Sequence, residues 1–272
     1  MLEATAVLPE ARITPGCLGI WKKEHIDGLG RIAAAMKKCG TVSGIHNQFW
    51  TPKELNKVQI ERIQQAFVDA AVRADKAGFD VIDIHAAYGM LLNQFLSPIS
   101  NTRTDKYGGT FENRTRMLIE IVERIRQVWP KRKPLFVSLS VLEGVDGGWS
   151  FEDTVQLAQL LVSKGVDMSE LSMGGNSPSA NIPGGPEFKI EMARKVKQRL
   201  PGFLVATVGV ASSGDQANRV LEEGCADAVF SGRKYLRNPS FVLSAACELG
   251  VNVQWIDQYQ CARPNLKYDT FF

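Results

Sequence analysis

Histidines, paired cysteines and long apolar runs are scarce in this sequence, and each scarcity excludes a class of protein. The 272-residue chain has three histidines, none four residues from another or beside a cysteine pair, so no metal site is expected. Its five cysteines are odd in number and form no C-x-x-C pair, which is typical of reduced thiols in the cytoplasm. No stretch reaches the roughly 18 apolar residues that span a bilayer. We therefore expect a cytoplasmic protein without membrane contacts.

A strong charge of one sign is also lacking. The 32 Lys and Arg residues are interleaved with 29 Asp and Glu residues, which gives a net charge of +3. A nucleic-acid partner is therefore not expected. No linker rich in proline, glycine and serine divides the chain, so residues 1–272 are predicted to form one domain.

Short apolar runs rich in β-branched residues alternate with longer segments of helical period, which is the pattern of parallel βαβ units. The predicted strands are residues 41–46, 80–85, 135–140, 166–172, 204–208 and 226–230. The predicted helices are residues 24–38, 53–77, 110–128, 151–164, 186–199 and 212–223. The expected fold class is therefore α/β.

A further possible strand at residues 2–7 brings the count to seven strand–helix units. A TIM-type (β/α)₈ barrel has eight, whereas an open doubly wound sheet can stop at six or seven. The open sheet usually has a glycine-rich turn after its first strand, which this chain lacks. We therefore predict an incomplete TIM barrel without its first strand–helix unit. Its open edge would be covered by the aromatic segment 268–272 or by a second copy in a homodimer.

The catalytic residues of such barrels lie at the carboxyl ends of the strands. His85 ends one predicted strand and Tyr88 follows three residues later, so the two can hold a carbonyl oxygen or move a proton there. The alternative is that His85 only caps the strand and Tyr88 only packs.

Glycines follow the last two predicted strands and mark a second candidate site. Gly209 and Gly232 expose backbone N–H groups, and Arg233 adds a cation, which together suit a phosphate group. Glycines are common in such loops, so a purely structural role is the alternative.

The segment from His85 to Arg116, the Gly-Arg-x-x-Leu-Arg-Asn-Pro block at 232–239 and Gly19-Ile-Trp21 resemble the Old Yellow Enzyme family of NADH:flavin oxidoreductases and ene-reductases. The resemblance covers nearly the whole chain. It implies a TIM barrel that binds FMN, with the phosphate near Gly209, Gly232 and Arg233.

The chain departs from that family where the flavin ring and the substrate bind. His46 stands where the family has a glutamine, and Ser138 where it has an arginine facing the flavin. Tyr88 replaces a histidine or asparagine, and Met90 replaces the tyrosine that donates a proton. Met1 also lies within what corresponds to the family's second strand, which implies a truncated member.

These departures lead to the expectation that FMN binding is lost, that no cofactor is needed and that Gly209, Gly232 and Arg233 form a vacant phosphate site. The expected activity is a non-redox isomerase or cyclase acting on an unsaturated carbonyl compound, with His85, Tyr88 and His46 as catalytic residues. The alternatives are an FMN-dependent NAD(P)H ene-reductase or double-bond isomerase, and a non-catalytic partner of a full-length relative.

Overall fold

A parallel sheet of six strands forms the centre of the protein in this computed structural model, which describes residues 5–12, 14–38, 44–46, 54–255 and 257–258. Each strand pairs with its neighbours in chain order. The strands are β1 (Gly44–His46), β2 (Val81–Ala86), β3 (Leu135–Ser140), β4 (Met168–Ser172), β5 (Leu204–Val208) and β6 (Ala228–Phe230). This order places the carboxyl ends of all six strands along one edge.

Helices connect the strands, as parallel pairing requires. They are α1 (His25–Lys38), α2 (Lys57–Lys76), α3 (Leu91–Leu96), α4 (Phe111–Val128), α5 (Phe151–Ser163), α6 (Pro186–Arg199), α7 (Gly214–Glu222), α8 (Gly232–Arg237) and α9 (Phe241–Glu248). A 3₁₀ turn at Pro9–Ala11 precedes them. None of these helices is long and apolar enough to cross a membrane.

Successive side chains on each strand point alternately to the face of the sheet that packs against the helices and to the opposite face. On β2, Ile82 and Ile84 pack into the main apolar core, whereas Asp83 and His85 point to the other face. On β3, Val137 and Leu139 belong to the same core. The helices thus cover one face of the sheet, and polar residues line the other.

Side-chain caps determine where the principal helices begin. Asn56 accepts a hydrogen bond from the Gln59 N–H at 2.9 Å, and the Gln59 side chain accepts one from the Asn56 N–H, so α2 starts with a capping box. Ser150 and Asp153 form the same arrangement at α5. These caps satisfy N–H groups that would otherwise lack partners.

The predicted elements are confirmed with small shifts. The strands 135–140 and 204–208 have the expected bounds, and 80–85 moves by one residue. All six predicted helices form, whereas the short helices α3, α8 and α9 were not predicted. The α/β class is also confirmed.

The predicted strand at residues 2–7 does not join the sheet within the described part. Residues 1–4 lie outside the described residues, and Ala6 pairs only with Gly19 in an isolated bridge. Residues 268–272 also lie outside the described ranges. The missing first unit, the single domain and the homodimer stay predictions.

Candidate active site

His85 and Tyr88 meet at the carboxyl end of β2. Their rings stack with centroids 5.9 Å apart and planes inclined by 29°. His85 is buried, with 3% of its surface exposed, whereas Tyr88 is 41% exposed. The structure therefore brings these two predicted site residues together, with Tyr88 nearer the solvent.

The backbone of Tyr88 is held in a conformation that few side chains adopt. Its φ is 54°, in the left-handed region, and its N–H donates to Ser140 Oγ at 3.0 Å. The next N–H, of Gly89, donates to Asn93 Oδ1 at 2.8 Å. Such strain persists only where neighbouring groups maintain it, and it occurs often at functional sites.

The electrostatic surroundings of Tyr88 favour its neutral form. Burial and the nearby Glu170 carboxylate raise the pKa of Tyr88, against the opposing effects of Ser172 and Arg233. The hydroxyl therefore keeps its proton and can donate it.

His46, the third predicted catalytic residue, lies beside this pair only by register. Its backbone pairs with Asp83 across β1 and β2. Its side chain lies outside the described residues, so its role stays a prediction.

A cleft of about 600 Å³ extends from Tyr88 to the ends of β5 and β6. Among the described residues, four cations line it and no carboxylate does: Lys189, Arg233, Lys234 and Arg237. None of the four forms an ion pair with a described residue. The cleft therefore has the charge needed by an anionic ligand.

Gly209 and Gly232 lie in this cleft together with Arg233. Gly209 has a φ of +71°, and a Cβ on Gly232 would meet no atom within 4 Å. A ligand can thus approach the backbone closely at these loops, and the cations supply charge-assisted hydrogen bonds. The donors present fit the phosphate of FMN.

Two buried acids lie deeper in the interior, and the sequence reasoning missed them. Ser138 Oγ lies 2.7 Å from Asp83 Oδ2 and 3.0 Å from Glu170 Oε2. Burial and the Glu170 carboxylate raise the pKa of Asp83 well above its ordinary value, and burial also raises the pKa of Glu170. Acidic residues at interior-facing positions of buried strands were the available signal.

Lys189, Lys234 and Arg237 were also missed. Lys189 lies on α6, some 44 positions before Arg233 in the chain, so only the fold brings them to one cleft. Lys234 and Arg237 lie close to Arg233 in sequence and could have been found as a basic cluster.

Similarity to known proteins extends over most of the chain. Residues 41–252 match the model of the NADH:flavin oxidoreductase / NADH oxidase family. The chain is 40% identical to an NADPH dehydrogenase of Geobacillus thermodenitrificans, over 96% of this chain and 82% of that protein. It is 36% identical to an NADPH dehydrogenase of Bacillus subtilis, with the same coverage.

Solved structures have the same fold, which confirms the predicted barrel type. Morphinone reductase matches with a TM-score of 0.74 and 25% identity, over 94% of this chain and 78% of that one. A 2-naphthoyl-CoA reductase matches with a TM-score of 0.83 and 22% identity, over 91% of this chain. The chain spans only 44% of that reductase, so this likeness concerns the barrel alone.

These matches contradict two expectations, namely that no cofactor is needed and that the activity is a non-redox isomerisation or cyclisation. The expectations gave weight to the changes at the ring end, at His46, Tyr88, Met90 and Ser138. At the phosphate end they counted only Arg233 as a cation, whereas four cations line the cleft there. Binding energy from that end can compensate for weaker binding of the flavin ring.

Proposed function

Because the chain belongs to the NADH:flavin oxidoreductase / NADH oxidase family, we propose that it is an oxidoreductase that uses FMN and NADPH to reduce an activated double bond. The matched region, 41–252, includes all six strands of the described sheet. The observation that carries the proposal is the cationic cleft, which begins at Tyr88 and ends at Arg233.

The FMN phosphate would be held by Arg233 and Lys189 and by the backbone at Gly209 and Gly232. The chemistry that bound FMN would supply is hydride transfer from the nicotinamide to the substrate. Lys234 and Arg237 would add to the attraction of anionic ligands into the cleft.

His85 and Tyr88 would bind the substrate at the carboxyl end of β2, where the cleft begins. Two adjacent polar side chains suit the carbonyl oxygen of an unsaturated carbonyl compound, which is polarised when it accepts hydrogen bonds.

Tyr88 would also act as the proton donor. Reduction of a carbon–carbon double bond needs one proton besides the hydride, and the Met90 side chain has none to give. Tyr88 lines the cleft, and burial raises the pKa of its hydroxyl, which is therefore protonated at neutral pH. Tyr88 would therefore be the acid that donates this proton at its end of the cleft.

The experiment compares the binding of FMN and of riboflavin, which differ by the phosphate. The protein should bind FMN more tightly, and Arg233→Gln should weaken FMN binding about 10- to 100-fold while leaving riboflavin unchanged. Arg132→Gln is the matched control, because Arg132 is exposed and precedes β3 at the opposite edge of the sheet.

NADPH oxidation by the loaded protein, in the presence of an unsaturated carbonyl acceptor, completes the test. It should require FMN and stop when FMN is removed. Equal affinity for FMN and riboflavin, or NADPH oxidation that is independent of FMN, would overturn the proposal.

A further inference from the structure

Asp83, Ser138 and Glu170 form a three-residue cluster on adjacent strands β2, β3 and β4. Asp83 is 1% exposed, Ser138 1% and Glu170 6%. Neither carboxyl forms an ion pair with a described residue, and Asp83 Oδ1 has no hydrogen-bond partner in the described structure. A buried acid without a cation is costly to ionise.

The cluster needs one proton besides that of the Ser138 hydroxyl to form both of its hydrogen bonds. Ser138 Oγ lies within hydrogen-bond distance of both carboxyls, at 2.7 Å and 3.0 Å. A hydroxyl has one hydrogen, so it can donate to only one of them. The other contact is favourable only if that carboxyl carries its own proton and donates it to Ser138.

Tyr88 lies above this cluster. Its N–H is bonded to Ser140, which is two residues beyond Ser138 and therefore on the same face of β3. The charged and titratable groups that face Tyr88 and the two acids come from four elements. Among the described side chains, they are His85 from β2, Glu170 from β4, Lys189 from α6, and Arg233, Lys234 and Arg237 from α8.

We propose that Asp83 and Glu170 hold one proton between them across Ser138, and that the charge remaining on Glu170 opposes ionisation of the Tyr88 hydroxyl. Asp83 is then the neutral acid, since it is the more deeply buried of the two. Glu170 is a positioning residue that acts through Tyr88. This second part rests on the proposed role of Tyr88, whereas the shared proton does not.

Infrared spectra of the full-length wild type, from which the spectra of the variants are subtracted, test the shared proton. At neutral pH the protein should show the C=O band of a buried carboxylic acid that shifts in D₂O, and Asp83→Asn should remove it. Ser138→Ala should shift the band, because the acid loses its hydroxyl neighbour. That second variant keeps the test decisive if Asp83→Asn does not fold.

Glu143→Gln is the matched control. Glu143 is also buried, at 1% exposure, but it accepts hydrogen bonds from the Trp149 N–H at 2.8 Å and from Asn176 Nδ2 at 2.6 Å. Because two donors already satisfy it, its replacement should leave the acid band unchanged. The absence of the band from the wild type, or its persistence in Asp83→Asn, would overturn the shared proton.

Ultraviolet titration of tyrosinate tests the effect on Tyr88, with Tyr88→Phe identifying its contribution. Glu170→Gln removes a negative charge and should lower the titration midpoint of Tyr88 by about one pH unit. Asp83→Asn leaves Glu170 charged and should not move it. Equal midpoints in the two variants would overturn the positioning role.

Both measurements use protein without added FMN. A failure to bind FMN would therefore contradict the proposed function without changing the outcome of either measurement.

Discussion

A Cβ placed on Gly175 would lie 2.2 Å from the carbonyl carbon of Tyr88. The loop after β4 therefore packs backbone to backbone against the loop after β2. Gly175 also has a φ of +112°, which side chains rarely adopt. This contact supports the left-handed conformation of Tyr88 and so fixes where its hydroxyl lies.

Gly175→Ala should therefore destabilise the protein and misplace Tyr88. We expect a loss of about 1–3 kcal/mol in the free energy of unfolding, measured by urea denaturation, with a fall in turnover. Gly184→Ala is the control, since a Cβ there would meet no atom within 4 Å. Equal stability of the two variants would show that the loops can separate without cost.

Tyr88→Phe should remove the proton donor but keep the ring that stacks on His85. The turnover number for an unsaturated carbonyl substrate should fall about 10²- to 10⁴-fold, which is the usual contribution of a general acid. The melting temperature should change little. Turnover close to that of the wild type would show that the proton comes from elsewhere.

Tyr235→Phe provides the comparison for that variant. Tyr235 is also 41% exposed, and burial likewise raises the pKa of its hydroxyl, but it does not line the cleft. Its replacement should leave turnover unchanged, so a shared effect of losing a tyrosine hydroxyl would be detected.

The sequence predicted the strands and long helices because their periodicity is local. The burial of Ile82 and Ile84 and the capping of α5 by Ser150 both follow from neighbouring residues. The short helices α3, α8 and α9 were missed because six to eight residues carry too little periodicity.

The site was only partly predictable for a different reason. His85 and Tyr88 lie three residues apart, so their meeting could be inferred from one segment. Asp83 and Glu170 are brought together by the pairing of β2, β3 and β4, which no local pattern reports. Ser138 could be interpreted as a lost cation, but not as the bridge between two acids.

FMN affinity should fall as the salt concentration rises. Arg233 and Arg237 are exposed, and Lys189 and Lys234 are half-buried. Their attraction for a phosphate is therefore screened at an ionic strength near 0.1 M, where the Debye length is about 10 Å. Riboflavin lacks the phosphate and should bind with little dependence on salt. Parallel titrations of the two ligands over a range of sodium chloride concentrations would measure the difference, and equal salt dependence would contradict a phosphate site in this cleft.

The buried acid pair should make the protein less stable as the pH rises. The pKa of Asp83 is raised in the folded state, whereas an unfolded aspartate ionises near pH 4. Above about pH 4 the folded protein therefore binds more protons than the unfolded chain, and the free energy of unfolding falls by about 1.4 kcal/mol per pH unit for each proton until the pair itself ionises. Asp105 has the opposite effect, because the hydrogen bonds that Arg103 donates to it lower its pKa to about 2. Its effect is confined to acidic solution below about pH 4, outside the range of this measurement. Urea denaturation of the wild type and of Asp83→Asn between about pH 5 and pH 8 should thus show a steeper decline for the wild type, and parallel curves would mean that folding takes up no proton at this site.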